Sequence, residues 1–195
     1  MRPVVLQVFD YSLDGIIGVG GSELFEFCRA LPDDPAYEAW LMSSLESAGV
    51  HIMGRVTYEE MAGHFPVATA ADHQAAGTTD AIADIMNRTP KAVFSRTLTS
   101  ADWPETTIVS GDTVDGLNAL RERGSGVILA QGGVRFAQSL AALDVVDEYR
   151  LSVAPFLAGS GPRLFAEESK GRALELVSTA TYSAGLQTLV YRRRR

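Results

Sequence analysis

The chain has one cysteine and three histidines among its 195 residues. Cys28 alone closes no internal disulfide, so a stapled fold is excluded and a reducing cytoplasm is the expected setting. It reads as a packing residue. His51, His64 and His73 share no helix face and have no cysteine partner, which leaves a zinc site unsupported and predicts no bound metal. No run approaches the roughly 20 apolar residues of a membrane helix. The opening Pro3-Val4-Val5-Leu6-Gln7-Val8-Phe9 is too short for a secretory core, lacks a cleavage pattern and meets Asp10 at once. Lysine and arginine number 17 against 24 acidic residues, a net charge of −7. That balance excludes a general nucleic-acid binder, which needs a broad basic face. The exception, Arg192-Arg193-Arg194-Arg195, reads as a solvated chain end. No Gly-x-Ser-x-Gly elbow supplies a hydrolase nucleophile. The stretch Gly18-Val19-Gly20-Gly21-Ser22-Glu23 lacks the third glycine of the dinucleotide fingerprint and opens no helix directly after a strand, so it reads as a flexible loop.

What is present fits a compact enzyme. A content of 46% hydrophobic and 21% charged residues suits a single soluble domain spanning 1–195. Apolar strand-like runs fall near 4–9, 50–53, 91–95, 106–110, 127–131, 146–154, 173–181 and 186–193. Helical patterns lie between several of them, over Ala36 to Ala48, Val114 to Arg123 and Val134 to Leu143. The last two runs flank Tyr182-Ser183-Ala184-Gly185 and predict an antiparallel pair. The expected architecture is α/β, a mostly parallel sheet with an antiparallel C-terminal edge, flanked by helices. From Gly63 to about Asn87 an alanine-rich excursion reads as a lid or a subunit contact.

Three strand ends carry groups suited to an anion. Ile128-Leu129-Ala130-Gln131 runs into Gly132-Gly133 and then a helix, where backbone can approach a ligand and unpaired N–H groups face it. The same glycines also serve any tight turn. Val50-His51-Ile52-Met53 precedes Gly54-Arg55-Val56-Thr57, in which Thr57 is expected to cap the helix, with Glu60 completing a capping box and Arg55 at the helix mouth. Lys91-Ala92-Val93-Phe94 ends in Ser95-Arg96-Thr97, two hydroxyls and a guanidinium whose rigid fork suits a phosphate monoester.

In order and spacing, four segments resemble the dihydrofolate reductase superfamily, and more closely the reductase half of the bifunctional deaminase-reductase of riboflavin synthesis. They are Ser12-Leu13-Asp14-Gly15, Met53-Gly54-Arg55-Val56-Thr57-Tyr58-Glu59, Val93-Phe94-Ser95-Arg96, and Gly132-Gly133 followed by Val134 and Arg135. The resemblance covers nearly the whole chain and implies an eight-stranded dihydrofolate-reductase-like sheet with NADPH as cofactor. It implies Gly132, Gly133, Val134 and Arg135 at the pyrophosphate, and Gly54, Arg55, Thr57, Ser95 and Arg96 around the adenosine phosphates. It also implies that the loop Asp10 to Glu23 closes over the nicotinamide, using backbone groups near Asp10 and Ile17.

Hydride transfer needs a positioned, dry electrophile and often a proton donor. Two carboxylates compete for that role. Counting back from Met53, the family's folate-binding acid falls at Glu38, on a helix where a solvated face is the commoner reading. Asp10, just past a buried strand, is a partly desolvated alternative, while Asp14 shapes a turn through its side chain. For the substrate, Arg88 lies near the family's folate-carboxylate clamp but out of register. Arg163, in Gly159-Ser160-Gly161-Pro162-Arg163, is placed to hold a sugar phosphate, though the loop also reads as an ordinary turn. The riboflavin branch implies the activity of a 5-amino-6-(5-phosphoribosylamino)uracil reductase on a small-molecule substrate. Dihydrofolate reduction and a non-catalytic nucleotide-binding or interaction protein are the alternatives. A homodimer sharing the C-terminal strands and a monomer both fit the composition.

Overall fold

Apolar runs rich in valine, isoleucine and leucine become strands where both faces are covered, and the chain uses this twice. The computed structural model describes residues 1–66, 79–165 and 171–194. Its internal contacts divide it into two compact units. One comprises residues 1–2 and 40–133, the other residues 3–39 and 134–195.

The first unit holds four parallel strands, β2 (Ala48–Gly54), β3 (Lys91–Phe94), β4 (Thr106–Val109) and β5 (Val127–Gln131), with α3 (Arg55–Ala62), α4 (Asp80–Arg88) and α5 (Thr113–Arg121). His51 opposes Lys91 and Ile52 opposes both Ala92 and Ala130, while β3 pairs with β4 from Lys91/Thr106 to Phe94/Val109. Val50, Ile52, Met53, Val93, Ile128 and Leu129 are at most 5% exposed. Such uninterrupted burial is characteristic of a parallel sheet covered on both faces. Helix α4 starts on Thr79, which accepts from the Ile82 amide, and α5 on Asp112, which accepts from Val114 and Asp115. Each cap satisfies donors that the first helical turn leaves unpaired.

The C-terminal end of α4 is closed by a buried lysine. Lys91 donates from Nζ to the carbonyls of Met86 and Asn87 at 2.9 and 3.0 Å, and its ammonium sits 4.4 Å above the Trp103 ring. Trp103 in turn donates through Nε1 to Asn87. Burial holds the Lys91 pKa down at about 8. Beside it, His51 is fully buried, and burial together with the Lys91 charge pushes its pKa to about 4. Its ring is therefore neutral, with Gln131 Nε2 3.4 Å from Nδ1. At the chain start, Arg2 spreads its guanidinium over the carbonyls of Leu120, Arg123, Gly126 and Val127.

The second unit contains β1 (Val4–Tyr11), α1 (Glu23–Arg29), α6 (Val134–Ala142), β6 (Glu148–Val153), β7 (Leu174–Thr181) and β8 (Gln187–Arg193). Helix α2 (Pro35–Glu46) carries the chain from this unit into the first. β1 runs parallel to β6, whereas β6–β8 and β7–β8 are antiparallel. The eight strands are ordered β4-β3-β2-β5-β1-β6-β8-β7 in one mixed sheet. This is the expected mostly parallel architecture with an antiparallel C-terminal edge.

Some expectations change in detail. The helix expected over Ala36 to Ala48 ends at Glu46, and Ala48 already opens β2. Residues 18–23 are not merely a loop: Ser22 accepts from the Phe25 amide and starts α1. Arg192 and Arg193 are exposed as expected but belong to β8 rather than a frayed end, Arg192 pairing with Glu148 at 3.0 Å and Arg193 with Asp144 at 2.6 Å. Of the excursion from Gly63 to Asn87, residues 80–88 form α4, while 67–78, including His73, lie outside the described residues, as does Arg195.

Candidate active site

In the first unit the anion-suited segments lie at one end of the parallel strands. Gly54 opposes Phe94, so Ser95 follows beside the start of α3. Ile52 opposes Ala130, which sets Gly54 and Gly132 at equal height two residues on. Gly132 and Gly133 adopt φ of +64° and +72°, the left-handed region that a side chain disfavours. A Cβ at 132 would lie 2.8 Å from Thr57 Cγ2, so the turn requires glycine on both conformational and packing grounds. Both glycines are exposed, and α6 begins at the next residue, Val134. Turns of this kind direct successive N–H groups to one side and make an anion seat with the helix start.

Thr57 does not cap α3. The cap position is Gly54, which makes no side-chain capping bond, and Thr57 is buried inside the first turn with its methyl against Gly132. The hydroxyl-cap reading failed because the helix begins one turn earlier than the sequence pattern suggested. Arg55 stands at the helix start but is 45% exposed and pairs with Glu59 at 2.7 Å across one turn. Ser95 Oγ accepts from the amides of Thr97 and Leu98, which folds the turn and leaves Arg96 exposed beside it. Arg88 is elsewhere: it is 64% exposed at the end of α4 and 3.7 Å from Glu46.

In the second unit, the loop after β1 is tied to the loop after β6. Asp14 accepts from Ser12 Oγ at 2.6 Å and from the amides of Ala158 and Gly159 at 3.0 and 2.8 Å. These donors hold its carboxyl at a pKa of about 2. Arg163 donates to the Asp14 carbonyl at 2.7 Å, and the Ile17 amide donates to Pro162. A cavity of about 260 Å³ opens between these segments, lined by Ile16, Ile17, Val19, Phe156, Ser160 and Pro162. Arg135, in the first turn of α6, is exposed.

The same unit gathers polar side chains around Asp10, and apart from Asp10 itself the sequence reading did not single them out. Asp10, at the end of β1, has φ +40°. Burial raises its pKa, opposed by a hydrogen bond from Cys28 and the charge of Arg29. Burial and the Asp10 charge push the Cys28 thiol up to about 12. Tyr37 donates to Ser152 Oγ at 3.1 Å and meets Tyr182 edge-on, ring centroids 5.3 Å apart. The Tyr182 and Thr188 hydroxyls are 3.1 Å apart. Ser152 and Thr188 are register partners on β6 and β8, both nearly fully buried. Glu38, one residue beyond Tyr37, is exposed. Helical rotation of about 100° between neighbours separates the two side chains. The only sequence signals for this group were Asp10 after an apolar strand and an aromatic beside Glu38.

Sheet order, parallel core and antiparallel edge define a dihydrofolate-reductase-like α/β fold. The chain belongs to the RibD C-terminal domain family, a reductase-like family whose model matches residues 3–188. The Bacillus subtilis (strain 168) protein YyaP, itself uncharacterised, is 32% identical over 101 residues, which span 52% of this chain and 53% of YyaP, about half of that relative's length. A solved structure from Shewanella sp. PV-4, named for riboflavin biosynthesis, superposes with a TM-score of 0.75 at 22% identity over 100% of both chains. The Thermotoga maritima diaminohydroxyphosphoribosylaminopyrimidine deaminase/5-amino-6-(5-phosphoribosylamino)uracil reductase gives 0.65 at 16% identity, covering 99% of this chain and 57% of its own. Dihydrofolate reductase from Enterococcus faecalis, complexed with NADP(H), gives 0.60 at 15% identity over 99% and 97% of the two chains. Among the described residues no helix is long and apolar enough to cross a membrane, and no group of three or more potential metal ligands occurs.

Proposed function

We propose that this protein is an NADPH-dependent reductase of a small heterocyclic carbonyl or imine substrate, of the ribosylaminopyrimidine class. The observation that carries the reading is the glycine turn: two consecutive exposed left-handed residues, the first backed against Thr57, opening directly into α6. That donor set fits a pyrophosphate, with Arg135 in the adjoining helical turn. Arg55, Ser95 and Arg96 suit the adenosine phosphates, and the forked guanidinium of Arg96 favours a monoester. Gly54 and Thr57 shape the seat rather than ligate. NADPH, when bound, supplies a hydride to an electrophilic carbon.

The chain's own task is to place that carbon, exclude water and deliver a proton to the neighbouring nitrogen or oxygen. Asp10 suits the last role better than Glu38, because burial keeps a proton on its carboxyl at higher pH whereas Glu38 is exposed. The loop carrying Ile17 is braced by Asp14 and Arg163 and suits the nicotinamide end. Arg163 suits a substrate phosphate. The exposed Arg88–Glu46 pair gives no support to a folate clamp.

The test is a melting series with NADPH and NADH. A ligand at about 100 times its Kd stabilises by about 2.7 kcal/mol, so NADPH is expected to raise Tm clearly above NADH, with the gap closing in Arg96→Ala. Equal shifts from both cofactors refute the 2′-phosphate reading, and no shift from either favours a non-catalytic interaction protein. Following NADPH absorbance with 5-amino-6-(5-phosphoribosylamino)uracil and with dihydrofolate then separates the two substrates.

A further inference from the structure

In the second unit, Tyr11 bridges Ile17 and Arg163 bridges Ile16, so the end of β1 and the loop after β6 are brought to one turn, at Gly15. We propose that the Tyr11 hydroxyl and the Arg163 guanidinium form a single anion subsite around Gly15, which takes the phosphate monoester of a small organic ligand whose body enters the adjoining cavity. That this ligand is the substrate rests on the reductase reading; the capture of its phosphate does not.

Geometry, position and unused donors agree on the place. A Cβ at residue 15 would stand 3.4 Å from Tyr11 Oη and 3.8 Å from Arg163 Nη1, so the two groups flank a space that a side chain there would fill. Ile16 and Ile17, the bridge partners of Arg163 and Tyr11, both line the cavity of about 260 Å³, which gives an anion held here an apolar neighbour. Among the described residues the Tyr11 hydroxyl makes no hydrogen bond, and the Arg163 guanidinium donates to the Asp14 carbonyl with no carboxylate partner. By contrast Arg150, Arg172, Arg192 and Arg193 of the same unit each hold an acid.

Hydrogen bonds to the backbone fix the cationic arm before a ligand arrives. Gln138 on α6 donates to the Arg163 carbonyl at 2.8 Å, Arg163 Nη1 to the Asp14 carbonyl at 2.7 Å, and the Ile17 amide to the Pro162 carbonyl at 2.8 Å. One guanidinium N–H is thereby spent on the loop, and the rest of the fork is open to phosphate oxygens. Asp14, the carboxylate of this loop, is turned to the Ser12 hydroxyl and to the amides of Ala158 and Gly159. Burial raises the Tyr11 pKa against the pull of the Arg163 charge, which keeps the hydroxyl a donor. A carboxylate has two oxygens, which the guanidinium fork meets alone. A phosphate has a third, and the hydroxyl across Gly15 is placed to meet it.

The probe is ribose 5-phosphate, titrated calorimetrically into the full chain at low ionic strength, with ribose and inorganic phosphate beside it. Ribose 5-phosphate should bind more tightly than inorganic phosphate, and ribose should not bind. Tyr11→Phe should weaken the sugar phosphate about tenfold, the worth of a hydrogen bond to a charged group. Its urea midpoint should stay at the wild-type value, because the hydroxyl has no partner in the protein to lose. Arg163→Lys, which keeps the charge and loses the fork, should weaken binding by a similar factor. Equal affinity in wild type and Tyr11→Phe, a lowered midpoint in that variant, or inorganic phosphate binding as tightly as the sugar phosphate overturns the proposal. Tyr11→Phe should also keep the full NADPH melting shift, and a diminished one overturns the proposal by assigning the anion to the cofactor. If ribose 5-phosphate binds as described and no NADPH is consumed, the reductase reading fails alone. Where NADPH is consumed with 5-amino-6-(5-phosphoribosylamino)uracil, Tyr11→Phe should raise KM about tenfold at unchanged kcat, the mark of a contact made equally before and during reaction. An unchanged KM there removes the subsite and leaves the reductase reading standing.

Discussion

Replacing Gly132 by alanine tests the glycine turn directly, with a magnitude set by two separable costs. At φ +64° an L side chain costs about 1–2 kcal/mol. The added Cβ would stand 2.8 Å from Thr57 Cγ2, roughly 1 Å inside the usual carbon–carbon optimum, and such overpacking costs about 1–3 kcal/mol. The stiffer unfolded chain returns about 0.4–1 kcal/mol, leaving a net loss of about 1–5 kcal/mol. Thr57→Ser removes the offending methyl and keeps the hydroxyl, whose oxygen lies 3.5 Å from the same Cβ position. Alone it should cost about 1 kcal/mol. Combined with Gly132→Ala it should recover the steric part and leave the conformational one, a coupling of about 1–2 kcal/mol. Urea denaturation of the four proteins, with m unchanged, measures this. A loss below about 1 kcal/mol in Gly132→Ala, or additivity within about 0.5 kcal/mol, refutes the packing argument. Gly132→Ala should also weaken the NADPH melting shift, and a full shift would refute the phosphate seat.

Lys91→Met keeps the volume but leaves the Met86 and Asn87 carbonyls without their donor, and should lower stability at pH 10.5 by about 2–4 kcal/mol by urea denaturation. The folded pKa of Lys91, about 8 against 10.5, means that the unfolded chain binds the extra proton between those values. Wild type should therefore gain stability relative to Lys91→Met as pH rises from about 8 to 10.5, by up to about 3 kcal/mol; a flat difference refutes the buried-ammonium reading. Asp14 has a folded pKa of about 2 against 3.8, so its contribution is present above pH 4 and lost as pH falls towards 2. Asp14→Ala should speed amide exchange at Ala158 and Gly159, and unaltered exchange would show that other contacts hold that loop. Asp10→Asn should abolish the alkaline limb of any NADPH-dependent turnover while leaving the NADPH melting shift intact.

Much of the fold was legible because its signals are local. The strands of the first unit are buried on both faces, so Val50–Met53 and Ile128–Ala130 stand out as apolar runs, and the glycine pair marks its own turn. The start of α3 was misread because Thr57 and Glu60 mimic a capping box, while the true first residue, Arg55, follows a glycine that offers no side-chain acceptor. Ser22 was overlooked as a cap because the glycines before it suggested disorder and α1 is only seven residues long. The Asp10 group was illegible for another reason. Its members stand at 10, 28, 37, 152, 182 and 188, and no spacing rule connects side chains that meet only through strand register and helix phase.

Strand order has a further consequence for how the protein is made. Of the eight strands β1 is made first, yet its parallel partner β6 begins at residue 148. At about 5–20 residues per second, the apolar segment Val4–Val8 waits many seconds without a strand to pair with, whereas β2 to β5 emerge in one uninterrupted stretch and can assemble as they appear. Of the strands described, β1 is thus the one longest exposed to mispairing, and the help of a holding chaperone would matter there first.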